Sequence, residues 1–321
     1  MLAFIAGAGE GLLNLAEVKA LFPVPSLGTN FRSLDIKMAA LEIQIRNKGH
    51  LPCVIIGSSM PFVGINPQIL ESKLGVQCFN FSLNGMSANG AGTLGRILAW
   101  RFRPEYLIYA ADMRAFVETE STLSWRTEII GSPWVQYQLG KWNLDGWLLD
   151  HSQFYAELMA FSFWAHPLEE WLVRPSDLSS YSGYEPIQDQ KIDVRLGLTE
   201  TEITGREIYT SLQNYQLEEE ETRGLEQFLD LPHETQLILV EMPVHQSFFL
   251  YLGRGAEDRK TFINELEAFS TKNHVPLITS YGALDIPDKD WADRNHVTAN
   301  GASIFSSWLA GQLSLYMESD K

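Results

Sequence analysis

A serine behind a short apolar run and an Asp-x-x-His ahead of the last apolar segment are the residues of this chain best suited to acyl transfer. Acyl transfer through a serine needs a hydroxyl exposed on a sharp turn, a base to take its proton, and N–H donors aimed at the oxyanion. Ser59 ends the run Val54-Ile-Ile-Gly-Ser-Ser59, and Gly57 permits a tight turn there. Asp293 and His296 stand three apart in Asp293-Arg-Asn-His296, a spacing at which a carboxylate can orient an imidazole. Taken singly these features are weak, since a serine after a strand and a surface Asp-x-x-His are both common. Together, in this order on one sheet edge, they are much stronger.

The elements that must position them follow from apolar patterning. Short apolar runs bounded by turn residues predict strands at 52–56, 74–81, 104–111, 236–242 and 275–279. Helical spacing predicts helices at 33–47 (Leu34, Ile36, Met38, Leu41, Ile45), 88–102, about 217–229, about 256–273 and about 299–316. Strands alternating with helices imply a three-layer α/β/α fold with a central parallel sheet of about five strands. Ligands of such sheets sit at the carboxyl ends of the strands. That rule directs attention to 57–60, 82–87, 111–114, 243–246 and 280–296.

The stretch 116–209 breaks the alternation and reads as a mostly helical insertion capping that edge. It holds Trp125, Trp134, Trp142, Trp147, Trp164 and Trp171. Their ordinary role is the core of the insertion itself. The sharper reading has one or two of them lining a groove and stacking on a sugar or an acyl chain. The chain thus divides into an N-terminal segment, 1–32, and an α/β domain, 33–321, that carries the insertion.

On these blocks the chain resembles the SGNH hydrolases, or GDSL-like esterases. In that family a strand ends in Gly-Asp-Ser with Ser as nucleophile; here Ser59 falls on the nucleophile and Ser58 replaces the Asp. A second block offers an Asn and then a Gly whose N–H serves the oxyanion hole, which Asn80-Phe-Ser-Leu-Asn-Gly85 matches, with Gly85 in that role. The last block, Asp-x-x-His before a final helix, matches Asp293 and His296. The resemblance implies that His296 is the base, that Asp293 orients it, and that the N–H groups of Ser59 and Gly85 hold the oxyanion. Ser58, Asn84, Arg114 and His245 flank the blocks as candidate substrate contacts, although a loop histidine such as His245 more often bonds to backbone. The third block departs: Asp112 stands where the family has an Asn donor, and an ionised carboxylate accepts hydrogen bonds but cannot give one. Three explanations stay open. Asp112 is turned away and paired, with Arg114 a candidate partner; or it is protonated; or the hole is incomplete and the enzyme slow.

Gly-Ser-Ser in place of Gly-Asp-Ser resembles the branch with proteins of teichoic-acid D-alanylation and exopolysaccharide O-acetylation. That branch implies an acylated carbohydrate or small ester as substrate, no cofactor and no metal, and a place outside the cytoplasmic membrane on an N-terminal anchor. The alternative reading is a catalytically weak protein of this fold that binds polysaccharide or assists cell-envelope assembly. A phospholipase-like reading stands third.

Composition bounds these readings. With 45% hydrophobic and 20% charged residues, the composition argues against disorder along the whole chain. A net charge of −16 argues against nucleic acid and anionic lipid as partners. Neither Cys53 nor Cys78 has the spacing of a zinc site. Two buried free thiols are the expected state, with a disulfide as the alternative. Asp285, Asp288 and Asp290 read as a solvated acidic loop. The first 25 residues are apolar but broken by Glu10, Glu17 and Lys19, so they lack the ~20 apolar residues of a span. They also show no basic leader or small-residue cleavage site. An amphipathic first helix in a soluble protein is the reading these residues favour. The tail of a membrane anchor is the other, and it would move the protein out of the cytoplasm.

Overall fold

The apolar runs pair as one parallel sheet. The computed structural model describes residues 7, 9–11, 22–29, 31–162, 173–188 and 211–317. Its strands are β1 (Cys53–Gly57), β2 (Cys78–Asn80), β3 (Tyr106–Ala111), β4 (Gln236–Glu241) and β5 (Leu277–Ile278), in the order β2-β1-β3-β4-β5. Between and after them run helices α1 (Ser59–Gly64), α2 (Pro67–Leu74), α3 (Ala88–Phe102), α4 (Glu219–Thr222), α5 (Gly224–Gln227), α6 (Ala256–Asn273) and α7 (Ala299–Leu313). Strands β1 and β3 are buried along their whole length, as strands covered on both faces must be.

The chain steps one way from β1 to β2 and the other way from then on. Right-handed crossovers therefore put α1 and α2 on one face and α3 to α6 on the other. Packing agrees. Ile55, Ile108, Ile238 and Val240 form one core with Leu70 of α2 and with Phe305 and Leu309 of α7. On the opposite face the ring of Tyr109 lies 5.0 Å from that of Phe228, and Phe116 meets Phe262 of α6 edge-on at 5.3 Å. This is the three-layer α/β/α architecture expected from the alternation.

Local signals explain where elements begin and end. Ser87 accepts the Gly90 N–H at 3.0 Å and starts α3. The strand expected from residue 74 begins only at Cys78. Asn66 caps α2 through the Gln68 N–H, Pro67 opens it, and Gly75 closes it in the left-handed region. The helix expected at about 217–229 is two single turns, α4 and α5.

The two cysteines are not free. Cys53 and Cys78 are register partners on adjacent strands, with Cα atoms 4.3 Å apart, and are bonded as a disulfide. The expectation of free thiols rests on how often free Cys is buried, and the register that sets this pair opposite one another overturns it. Closing a loop of this length is worth about 3.5 kcal/mol through the unfolded state. Cys53→Ala/Cys78→Ala should lower unfolding stability by roughly that amount, read as an earlier urea midpoint. An unchanged midpoint would show that no such bond constrains the folded chain.

The chain clusters into two compact units: Met1–His50 with Arg126–Tyr181, and Leu51–Trp125 with Ser182–Lys321. The sheet and its helices belong to the second. The first contains the helix Arg32–Lys48, foreseen from its periodicity, and the helices Pro133–Gln138, Leu144–His151 and Gln153–Ser162. Glu10 caps the last of these by accepting the Ser152 hydroxyl and the Gln153 and Phe154 N–H groups. Trp134 is core and donates to Asp150 at 3.2 Å, and Trp125, in the second unit, is also buried. Trp147 is 41% exposed and Trp142 76%. Trp164 and Trp171 lie outside the described residues, as does most of the N-terminal segment. Among the described residues, no helix is long and apolar enough to cross a membrane.

Candidate active site

Three strand ends of the α/β unit converge on Ser59. The serine is the first residue of α1, directly past β1. Gly57 is required before it: a Cβ there would collide with the Ala110 carbonyl oxygen and lie 2.6 Å from Pro61 Cγ. Ser58 caps α1 by accepting the Met60 N–H at 3.3 Å. Asn80, at the end of β2, is wholly buried and ties this turn to the next. Its amide donates to the Pro61 and Ile65 carbonyls at 2.7 and 2.9 Å, and its oxygen accepts the Ser82 N–H. The Leu83 N–H donates to the Gly57 carbonyl at 3.0 Å. The position of the Gly85 turn is thereby set against β1.

The Asp-x-x-His loop is held as tightly. Trp291 and Val297 form an isolated antiparallel bridge, and the Ala292 N–H donates to the His296 carbonyl at 2.8 Å. The Thr298 N–H donates to the Asp290 carbonyl at 2.9 Å, and Thr298 then caps α7. In this loop the His296 Nδ1–H donates to Asp293 Oδ2 at 2.7 Å, and the Ser59 hydroxyl donates to His296 Nε2 at 2.9 Å. These donor roles are assigned from the network. The second oxygen of Asp293 accepts the main-chain N–H groups of His296 (2.7 Å) and Asn295 (2.8 Å). Burial works against the charge of Asp293. The His296 ring, by hydrogen bond and by charge, and these two N–H groups outweigh it, holding the carboxyl below the usual range.

Beside Ser59 opens a cavity of about 70 Å³, lined among others by Gly85, Asp112, Arg114, Met86 and Thr122. Gly85 has φ +68°, a conformation that favours glycine. Its carbonyl accepts the Ser121 hydroxyl at 3.0 Å, while among the described residues its N–H and that of Ser59 have no acceptor. An arrangement of this kind can take a proton from Ser59, return it to another oxygen, and offer two main-chain donors to a negative charge.

The residues named from sequence do not all meet here. Ser58, Ser59, Gly85, Asp112 and Arg114 line the cavity. Asn84 is exposed on the turn and does not line it. His245 lines a separate groove of about 830 Å³ at the ends of β4 and β5, with Tyr281, Asp288 and Trp291. It follows the commoner pattern for a loop histidine: its ring accepts the Ser247 N–H at 3.1 Å and caps the turn Gln246–Tyr251. Asp112 is turned onto Ser58 and the N–H groups of Arg114 and Ala115. It is therefore paired, with the main chain of Arg114 rather than its guanidinium. Thr119, Ser121 and Thr122 were missed as lining residues, having been assigned to the insertion. A Thr-x-x-Thr capping box at 119–122 was the available signal.

No protein-family model and no curated protein matches the chain. Solved structures similar to it include a carbohydrate acetylesterase family member from Sinorhizobium meliloti, 9% identical with a TM-score of 0.37 over 83% of this chain and 98% of that one. They also include the inhibitor-bound aryl esterase of M. smegmatis, 12% identical with a TM-score of 0.37 over 83% of this chain and 99% of that one.

Proposed function

We propose that the chain is a serine-dependent O-acyl ester hydrolase or acyltransferase. The observation that carries this reading is the continuous hydrogen-bonded line from Ser59 through His296 to Asp293, opening beside two main-chain donors. Ser59 Oγ bonds to the ester carbonyl carbon as its proton passes to His296 Nε2. The N–H groups of Ser59 and Gly85 hold the oxyanion. The C–O bond to the alcohol then breaks, and His296 gives that alcohol the proton. Water or a sugar hydroxyl repeats the sequence on the acyl-enzyme, restoring Ser59. Asp293 stays ionised throughout and keeps the imidazole in the required tautomer.

The cavity supports a short acyl group. At about 70 Å³ it is half the size of the roughly 150 Å³ cavity that admits benzene. The substrate is an acylated carbohydrate or a small ester, and water or a sugar hydroxyl is the acceptor. The disulfide supports work in an oxidising compartment, outside a reducing cytosol.

A second reading, a polysaccharide-binding or assembly protein of the same fold, is favoured by Asp112 at the family's Asn position and by the exposed indole of Trp142. Labelling with a fluorophosphonate separates the two. The native chain should be labelled, and Ser59→Ala and His296→Ala should not. A folded native chain that takes no label, yet binds polysaccharide equally well with Ser59→Ala, would favour the second reading.

A further inference from the structure

Asp112 is 3% exposed, and both of its oxygens are engaged. Oδ1 accepts the N–H groups of Arg114 at 3.0 Å and Ala115 at 3.2 Å, and Oδ2 accepts the Ser58 hydroxyl. The oxygen of that hydroxyl accepts the Met60 N–H. A single hydrogen-bonded line thus runs from the turn after β3 to both flanks of Ser59. It reaches the residue before Ser59 through a side chain and the residue after it through the main chain. The two strands leave the sheet together, since Gly57 and Ala110 are register partners.

We propose that Asp112 is a positioning residue that locks the Ser58–Met60 turn, leaving the oxyanion to the main-chain N–H groups of Ser59 and Gly85 alone. The proposal rests on the reading of Ser59 as the nucleophile. A carboxylate has lone pairs and no proton, so it cannot serve an oxyanion but can gather three donors at once. A hydrogen bond to an ionised acceptor is among the stronger ones, which suits a clamp on a turn that must not drift. Ser58 is the complement of this arrangement. A hydroxyl both gives and accepts, so it alone can join the carboxylate to the Met60 N–H. Asparagine at 112 would keep an oxygen for the Arg114 and Ala115 N–H groups but present an amide N–H₂ to Ser58, where an acceptor is needed.

The test is a double-mutant cycle on the full chain, comparing native, Ser58→Ala, Asp112→Ala and the double variant, with Asp112→Asn as the isosteric control. The readout is the rate of fluorophosphonate labelling of Ser59, taken well below each thermal midpoint. Each single alanine change should slow labelling tenfold or more. The double variant should be no more than twofold slower than the slower single, and Asp112→Asn should also be slower than native. Losses that multiply, or faster labelling by Asp112→Asn, would overturn the proposal; the latter would show the carboxylate repelling the oxyanion. Thermal midpoints of the same proteins keep the two readings apart. If the native chain takes no label, the nucleophile reading falls. The clamp is then judged by the midpoints, where equal drops that do not add support it and additive drops overturn it.

Discussion

Ser59→Ala and His296→Ala should each lower kcat on a short acyl ester by about 10⁶-fold, and the double variant should lose no more than either single. In the proposed mechanism the two side chains act as one unit. Ser59, whose hydroxyl lies 2.9 Å from His296 Nε2, gives that ring its proton, so removing either partner abolishes the same step. The N–H groups of Ser59 and Gly85 survive both changes. A residual rate about 10³–10⁴-fold above water should therefore remain. Steady-state kinetics on the four proteins, checked for folding by circular dichroism, gives the answer. Losses that multiply would mean that the two residues serve different steps, and would remove the basis for a shared proton transfer.

Asp293→Asn should cost about 10⁴-fold in kcat with little change in KM, because it disturbs the tautomer and not the cavity. Its effect on pH dependence is the more specific test. The native carboxyl is held below its usual range chiefly by the His296 ring, against the opposing effect of burial. A carboxyl with a lowered folded value adds stability that is fully present above its unfolded value and is lost as pH falls through the folded one. Asp293 therefore remains charged across the mildly acidic range and contributes its stability there. With Asn at 293 that contribution is absent, so unfolding stability should fall less steeply from mildly to strongly acidic pH than in the native chain. An acid stability profile identical to the native one would show that the ring and the two N–H groups do not hold the Asp293 carboxyl in its charged form.

The sheet was legible because its signals are local. Buried parallel strands read as apolar runs, and 104–111 and 236–242 need only end-trimming to become Tyr106–Ala111 and Gln236–Glu241. The helices at 88–102 and 256–273 appear with those bounds, preceded by the N-cap residues Ser87 and Gly255. What could not be read was anything that depends on register or on a fold-back. Cys53 meets Cys78 only once β1 and β2 pair in register. Ser58 meets Asp112 only because β1 and β3 end side by side, 54 residues apart in the chain. The sequence left Asp112 open between pairing, protonation and an incomplete oxyanion hole because it names the residue's type and not its partners. His245 sits at a strand end of the same sheet edge, yet a different groove receives it, one lined by the residues that follow β4 and β5.

The disulfide has a consequence at the other end of its strands. It joins the amino ends of β1 and β2, whereas Ser59 and Gly85 lie past their carboxyl ends. Strand β2 has only three residues and lies at the sheet's edge, so few ladder bonds hold its alignment. A slip of one residue would carry its far end about 3.3 Å along the strand axis and turn its side chains to the opposite layer. Asn80 would leave the Pro61 and Ile65 carbonyls, and the Gly85 N–H would move farther than a hydrogen bond tolerates. Cys53–Cys78 thus pins the alignment of the two main-chain N–H groups, of Ser59 and Gly85, that the proposed mechanism uses and that follow different strands. A sample refolded under reducing conditions should therefore keep its sheet yet take a fluorophosphonate label more slowly than the oxidised chain, so redox history belongs among the controls of the labelling assay.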